Sequence, residues 1–308
     1  MSFDLVAIGN PVYDTIETPS VKTDGRVLSG CSTNACLAAK RLGLKKVGLV
    51  GSIGRDFRER FLEDMGNYGI EVRVNSRGET GGFRLIYDDR GDRTLDVLGV
   101  AGPIKPRDIP DEFLHASFFL IGPILGEVDL ELVEFVRSTT SSPMLLDPQG
   151  LVRVIGSDRR IVHRCDQVAF GQVAKLVDFI KPNEHESRTI TGLDDPRQGL
   201  LQLRTFGSAV PIVTLAERGS ILIEGDKIFR IPAFPTKAVD PTGAGDAYAG
   251  SFIAEYVHSK NLVESALFAS AAASMMVEQV GPDFAMTLRD VEERRDSIRE
   301  LIRSEKLS

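Results

Sequence analysis

Short apolar runs bounded by glycine, proline or aspartate recur along the chain, at residues 5–8, 47–50, 118–121, 144–146, 176–180 and 212–215. Runs of this length predict strands buried on both faces. Between many of them lie segments of helical pattern, at 35–42, 55–68, 128–138, 184–191 and 198–206. Buried strands alternating with helices imply an α/β domain whose largely parallel sheet is covered on both sides. The chain then ends in three longer helical patterns, 245–259, 262–279 and 288–303, the last of them strongly charged.

Two stretches break this rhythm. Residues 81–89 and 93–99 flank Asp89-Arg90-Gly91-Asp92 with no helix between them, which predicts a hairpin. With the segment 11–28 they are expected to form a small sheet outside the main one. A second hairpin, 221–223 and 227–231, is expected to turn at Gly225-Asp226.

Composition narrows the function classes. With 37 Lys+Arg against 44 Asp+Glu the formal charge is -7, which does not indicate a broad basic face for nucleic acid. Any phosphate site must be local. The 3 cysteines, Cys31, Cys36 and Cys165, include no Cys-x-x-Cys pair and point to a reducing compartment, with the cytoplasm as the expectation. No apolar stretch approaches the ~18 residues that span a bilayer, and Met1-Ser2-Phe3-Asp4 lacks the basic start of a signal peptide. A soluble protein without membrane partners is expected.

The chemistry concentrates in Asp240-Pro241-Thr242-Gly243-Ala244-Gly245-Asp246, which opens a helical pattern offering Tyr248, Phe252 and Tyr256 for packing. Glycines around one alanine let backbone N–H groups converge, and a helix start adds its own unpaired N–H groups and positive dipole end. Such a turn attracts an anion. Asp246, beside bound anionic oxygen, is placed to take a proton from a hydroxyl being phosphorylated; the same residues can also simply start a helix with a favourable acid in its first turn. The heptad is neither a Gly-x-x-x-x-Gly-Lys-Ser/Thr loop nor a dinucleotide fingerprint, because Tyr248 stands where a third glycine would fall.

Other segments carry two readings each. In Lys181-Pro182-Asn183-Glu184-His185-Glu186, Asn183 and Glu186 fit a capping box and equally a site that holds the waters of Mg²⁺. Ser29-Gly30-Cys31-Ser32-Thr33-Asn34 precedes a small-residue helix at 35–39, and Asn34 can exchange hydrogen bonds with a hydroxyl or belong to an ordinary helix start. Asp14, a few residues beyond the first strand, can accept two vicinal hydroxyls or serve a turn. Asp147, Gln149 and Arg153 follow a strand and read as a turn followed by a surface arginine, while Arg84 and Arg93 on the expected hairpin can bind an anionic group or solvate an exposed sheet.

In this order the segments resemble the ribokinase-like carbohydrate kinases, or PfkB family, over nearly the full length. The match rests on Asp-x-Thr-Gly-Ala-Gly-Asp at Asp240 to Asp246, on Asn-x-x-Glu at Asn183 to Glu186, and on Gly30 to Asn34 with Arg41-Leu42-Gly43 after it. Val50 to Asp56 is similar to the family's second-strand turn. The resemblance implies one three-layer α/β/α domain over 1–308, with lid segments at about 11–28 and 81–99. It implies transfer of the γ-phosphoryl group of Mg·ATP to a hydroxyl of a sugar, polyol or nucleoside, a free sugar or polyol being the favoured acceptor; a non-catalytic relative is the remaining alternative.

The same resemblance assigns roles to residues. Asp246 is the general base, and the N–H groups of Gly243, Ala244 and Gly245 form the anion hole. Asn183 and Glu186 organise Mg²⁺ through water. Thr214, Gly219, Thr242, Ala273 and Gly281 lie along the nucleotide, Asp14, Gly30 and Asn34 bind substrate, and Asp240, Thr242 and Gly281 fall where K⁺ ligands lie in many members. Family lids that pair between subunits make a homodimer an expectation. Three positions depart from the family pattern: Ser29 replaces a glycine, Ala216 stands where the nucleotide turn often has glycine, and Pro241 replaces a common threonine.

Overall fold

The computed structural model describes residues 2–88, 93–207 and 209–307. Strand β1 (Leu5–Ile8) leads into β2 (Val12–Glu17), β3 (Val27–Ser29) and helix α1 (Cys31–Arg41). Strand β4 (Val47–Ser52), helix α2 (Arg58–Asn67) and strand β5 (Glu71–Asn75) precede a long antiparallel pair, β6 (Gly78–Tyr87) and β7 (Arg93–Ala101). The middle runs through β8 (Phe119–Ile121), α3 (Leu130–Thr139), β9 (Met144–Leu146), the hairpin β10 (Arg153–Ile155) and β11 (Ile161–His163), and α4 (Gln167–Ala174). Then come β12 (Phe179–Ile180), α5 (Glu184–Thr191), α6 (Pro196–Arg204), β13 (Val210–Thr214), β14 (Ser220–Glu224) and β15 (Lys227–Ile231). Helices α7 (Ala244–Ser259), α8 (Leu262–Met276) and α9 (Leu288–Ile298) precede a last edge strand, β16 (Arg303–Lys306).

The described strands of the main sheet stand in the order β16-β15-β14-β13-β12-β9-β8-β1-β4-β5. Pairing is parallel from β13 through β5 and antiparallel from β13 through β16. The central strands alternate their side chains between two cores, as a pleated strand must. Leu5 and Ala7 point into the core under α1, α7 and α8, whereas Val6 and Ile8 point into the one under α3, α4 and α6. That double burial is why these strands read as continuous apolar runs. No helix among the described residues is long and apolar enough to cross a membrane.

A separate sheet, β3-β2-β6-β7, contains both segments expected outside the main sheet. The expected turn at 89–92 lies outside the described residues. Strand boundaries differ in the direction pairing dictates: β6 and β7 reach Gly78 and Ala101, three residues below and two above the expected hairpin, because these ends still pair with each other. The run 176–180 is a strand only at its last two residues, where it pairs with β9 and β13.

At the carboxyl end the expected helix 288–303 stops at Ile298, and Arg303 to Lys306 pair instead along β15. Ladder bonding there overrides helix propensity. Helix α1 begins at Cys31 rather than at Ala35, so Ser32, Thr33 and Asn34 are its first turn and not a loop before it. Its small residues let it approach α7 closely: a Cβ added to Gly250 on α7 would lie 2.1 Å from the carbonyl oxygen of Ala35. Only glycine permits that approach.

Candidate active site

Helices α1 and α7 meet beside the carboxyl ends of β9 and β12, and their first turns carry the principal groups. Asp246 lies in the first turn of α7. Asn34 Nδ2 donates to its Oδ2 at 3.0 Å, and Gln149 Nε2 donates to its Oδ1 at 3.2 Å. Two donors from different segments fix the carboxylate plane. Gly243 caps the helix in a left-handed conformation, φ 79°, and a Cβ there would lie 2.9 Å from Asn34 Nδ2 and 2.8 Å from Met276 Cε. A side chain at this position would be strained and would push Asn34 off Asp246.

The expected set of three N–H donors is narrower in the structure. Ala244 N–H folds back onto the Pro241 carbonyl at 3.3 Å, a long turn bond. Among the described residues the N–H groups of Gly243 and Gly245 have no acceptor, so these two are open to an anion.

A buried ion pair, absent from the sequence expectations on its lysine side, stands next to them. Lys181 Nζ lies 2.8 Å from Asp147 Oδ2, with both side chains 3% exposed. A Cβ built on Gly245 would lie 3.5 Å from the same Nζ, so the ammonium sits against the anion turn. Burial works against that charge, yet the carboxylates of Asp147 and Glu186 outweigh it and hold Lys181 above the ordinary lysine value. The sequence did carry a signal for it: a lysine closing an apolar strand needs a counter-ion when the strand end is buried.

Asn183 and Glu186 form a capping box on α5. Glu186 N–H donates to Asn183 Oδ1 at 2.8 Å, and Asn183 N–H donates to Glu186 Oε2 at 2.9 Å. Glu186 is buried, and burial, followed by the Asp147 charge, raises its pKa. Cys31 Sγ approaches oxygens of Asp147 and Asp246 to within 4.8 Å, but burial pushes that thiol well up and Lys181 already occupies Asp147. A protonated thiol and a paired carboxylate make a poor metal set.

Asp14 is on β2 and buried, not in a loop. Its Oδ1 accepts the Phe83 N–H at 2.7 Å, and burial lifts its carboxyl to about 6 against the lowering effects of Phe83 N–H and Ser29. Ser29, the replacement for a glycine, thus has a partner in Asp14. Gly30 is the residue preceding α1. Asp240 is buried and its Oδ1 accepts the Thr242 N–H at 2.9 Å, while burial raises its carboxyl. Asp240, Thr242 and Gly281 line one small cavity together with Asn34, Ser29 and Met276. Tyr87 on β6 and Thr242 share a hydroxyl–hydroxyl bond of 2.9 Å that ties the separate sheet to the anion turn.

Among the described residues, the remaining expected positions form no hydrogen bond with Asp246. Thr214 ends β13 beside Asn183, with its N–H on the Pro182 carbonyl at 3.1 Å. Gly219 ends the turn before β14, and Ala273 is half-buried on α8. Ala216 takes φ 51°, so the departure from glycine at that turn is a strained one.

Comparison with known proteins bears on the family and the fold. The profile of the pfkB family carbohydrate kinases matches residues 153–288. A cytidine kinase of Thermococcus kodakarensis is 30% identical over 297 residues, covering 92% of this chain and 99% of that protein. A solved pyrophosphate-dependent kinase in the ribokinase family, in a sulfate complex, superposes with TM-score 0.81 at 22% identity, over 94% of this chain and 99% of its own. Arabidopsis thaliana ribokinase complexed with ribose and ATP gives TM-score 0.75 at 20% identity, over 96% and 99%. With a shared fold and a full-length relative, the chain belongs to the pfkB family of carbohydrate kinases, phosphotransferases acting on hydroxyl groups.

Proposed function

We propose that this chain transfers the γ-phosphoryl group of Mg·ATP to a hydroxyl of a sugar or related polyol, with Asp246 as general base. The observation that carries the reading is the clamped carboxylate: Asp246 is held by Asn34 and Gln149 at the helix start where Gly243 and Gly245 leave N–H groups open. Asp246 takes the hydroxyl proton as the acceptor oxygen forms its bond to the γ-phosphorus. The bond from that phosphorus to the β–γ bridging oxygen breaks, and its electron pair leaves with ADP. The two N–H groups face the charge on the equatorial oxygens. General-base help of this kind contributes about 10² to 10⁴ in rate.

Glu186 fits a hydrated Mg²⁺, because its cap uses Oε2 and leaves Oε1 without a donor among the described residues, in a site of hard oxygen ligands. With Asn183 it would hold the ion through water. When bound, Mg²⁺ neutralises charge on the phosphate oxygens. Thr214, Gly219, Thr242, Ala273 and Gly281 would line the nucleotide, and Asp14, Gly30 and Asn34 the acceptor. Asp240, Thr242 and Gly281 would serve K⁺, a reading that a comparison of KCl with NaCl tests.

The separate sheet would act as a lid, and the Tyr87–Thr242 bond supports closure onto the anion turn. The exposed Leu98 and Val100, on one face of β7, support pairing of that sheet with a second copy. The whole of 1–308 would then work as one kinase domain.

A nucleoside acceptor is the second reading, favoured by the likeness to a cytidine kinase. Incubation with sugars, polyols and nucleosides, each with Mg·ATP, Mg·ADP or Mg·pyrophosphate, and analysis of the phosphorylated product separate these readings. Absence of product with every acceptor and donor would overturn the assignment as a kinase.

A further inference from the structure

Strand β2 enters the separate sheet with a break in its ladder. It pairs in parallel with β6 at Val12–Gly81 and again from Thr15–Arg84, and β6 slips its register against β7 around Gly82 and Phe83, opposite that break. Two side chains bond the backbone there in place of the ladder. Arg26, the residue before β3, donates from Nε to the Tyr13 carbonyl at 2.6 Å and from Nη2 to the Gly81 carbonyl at 2.9 Å, with a longer bond of 3.4 Å to the Thr80 carbonyl. Asp14 Oδ1 in turn accepts the Phe83 N–H at 2.7 Å. Tyr13 and Thr80 are fully buried, and buried carbonyls of a broken ladder need such partners.

Gly82 leaves room for the guanidinium: a Cβ there would lie 2.2 Å from Arg26 Nη2 and 2.2 Å from the Tyr13 carbonyl oxygen. The bridge is also seated on the main domain. The Arg26 guanidinium lies 4.8 Å from the Phe57 ring centroid, Tyr13 stacks on the same ring at 4.4 Å, and the Tyr13 hydroxyl donates to Asp64 Oδ2 on α2 at 2.7 Å. Arg60 of α2 donates to the Arg26 carbonyl at 3.2 Å. Side chains alternate along a strand, so anchoring Tyr13 to α2 sets how Asp14 is presented on the opposite face. One planar fork thus ties β2 to β6 beside α2, a task that suits a guanidinium better than the point charge of a lysine.

We infer that Arg26 is a positioning residue for transfer: its guanidinium fills the break between β2 and β6 and holds Asp14 and the separate sheet in place over the acceptor. This inference rests on the phosphoryl-transfer reading, in which Asp14 meets the acceptor and the sheet acts as a lid. Arg26 takes no part in the chemistry and acts through the backbone of Tyr13, Thr80 and Gly81.

The test compares the parent chain with Arg26→Gln and Arg26→Lys, using Mg·ATP and the best acceptor found. In Arg26→Gln, KM for the acceptor should rise about tenfold, and so should the share of turnover lost to hydrolysis of ATP, because a loosened sheet admits water. KM for ATP should stay within about twofold, since the bridge lies away from the nucleotide. Arg26→Lys keeps the charge near Asp14 but not the fork, and should recover only part of the loss. Full recovery would assign the effect to charge and overturn the bridge. Hydrogen–deuterium exchange of the ligand-free proteins reads the bridge without turnover, so its failure is told apart from failure of the kinase reading. Residues 78–87 should exchange about tenfold faster in Arg26→Gln, with 244–259 unchanged. Unchanged exchange at 78–87, or faster exchange spread evenly over the chain, would overturn the inference. So would a fall in kcat alone, with acceptor KM and the hydrolysed share as in the parent.

Discussion

Asn34 donates its side-chain amide to Asp246 at 3.0 Å across 212 positions of sequence. The contact exists because α1 starts at Cys31, which puts Asn34 in its first turn, and because Gly250 lets α7 lie against Ala35. Asn34→Ala removes one of the two donors that orient Asp246, the proposed general base. It is expected to lower kcat about tenfold through misplacement of the carboxylate, with nucleotide affinity kept. Steady-state kinetics and nucleotide titration of the variant check this.

Lys181 and Asp147 provide a second prediction. Lys181→Met leaves the Asp147 carboxylate buried without its counter-ion, and chemical denaturation should show a loss of about 3–5 kcal/mol. The double variant Lys181→Met/Asp147→Asn should recover much of that stability. Its activity should stay low, because the positive charge beside Gly245 remains absent. Full recovery of both would show that the pair serves folding only.

Much of this arrangement was legible in the chain. Strands buried on both faces, such as β1 and β8, announce themselves because both cores demand apolar side chains. Asp246, Asn34 and the Asn183–Glu186 box were legible as types and spacings. Their meeting was not, because it depends on the crossing of α1 and α7. The role of Lys181 is hard to read locally because its counter-ion follows a different strand, 34 positions away in the chain. Short β12 and the edge strand β16 escaped because two to four residues carry little periodicity, and pairing partners rather than local pattern decide them. Hairpin β10–β11 and helix α4 were likewise unmarked by any strong local pattern.

Asp14 makes stability depend on pH. Its carboxyl keeps its proton up to about 6 in the folded chain, against 3.8 as the ordinary value. The folded state therefore binds more protons between these values, and the stability this group contributes is complete below the lower one and is lost as pH rises through about 6. The difference amounts to about 3 kcal/mol at most. Asp14→Asn retains an acceptor for the Phe83 N–H and should be more stable than the parent at pH ~7, with the advantage gone at pH ~4. Denaturation curves at the two pH values test this, and an equal difference at both would contradict it.

Ala216 holds a left-handed backbone, φ 51°, in the turn after β13. Glycine adopts that conformation without the Cβ clash, so Ala216→Gly should raise stability by about 1 kcal/mol despite its greater freedom when unfolded. If Thr214 and Gly219 do line the nucleotide, the change should also alter KM for ATP and leave KM for the acceptor as it was. A thermal melt and a two-substrate kinetic series measure both effects.

In the proposed function Asp246 removes the acceptor proton while the Gly243 and Gly245 N–H groups face the phosphoryl oxygens. The most direct measurement compares kcat of Asp246→Asn with that of the parent, using saturating Mg·ATP and the best acceptor found, alongside nucleotide affinity for each protein. The expected result is a kcat lower by about 10² or more with nucleotide binding little changed. An unchanged kcat in that variant would contradict the assignment of Asp246 as the base.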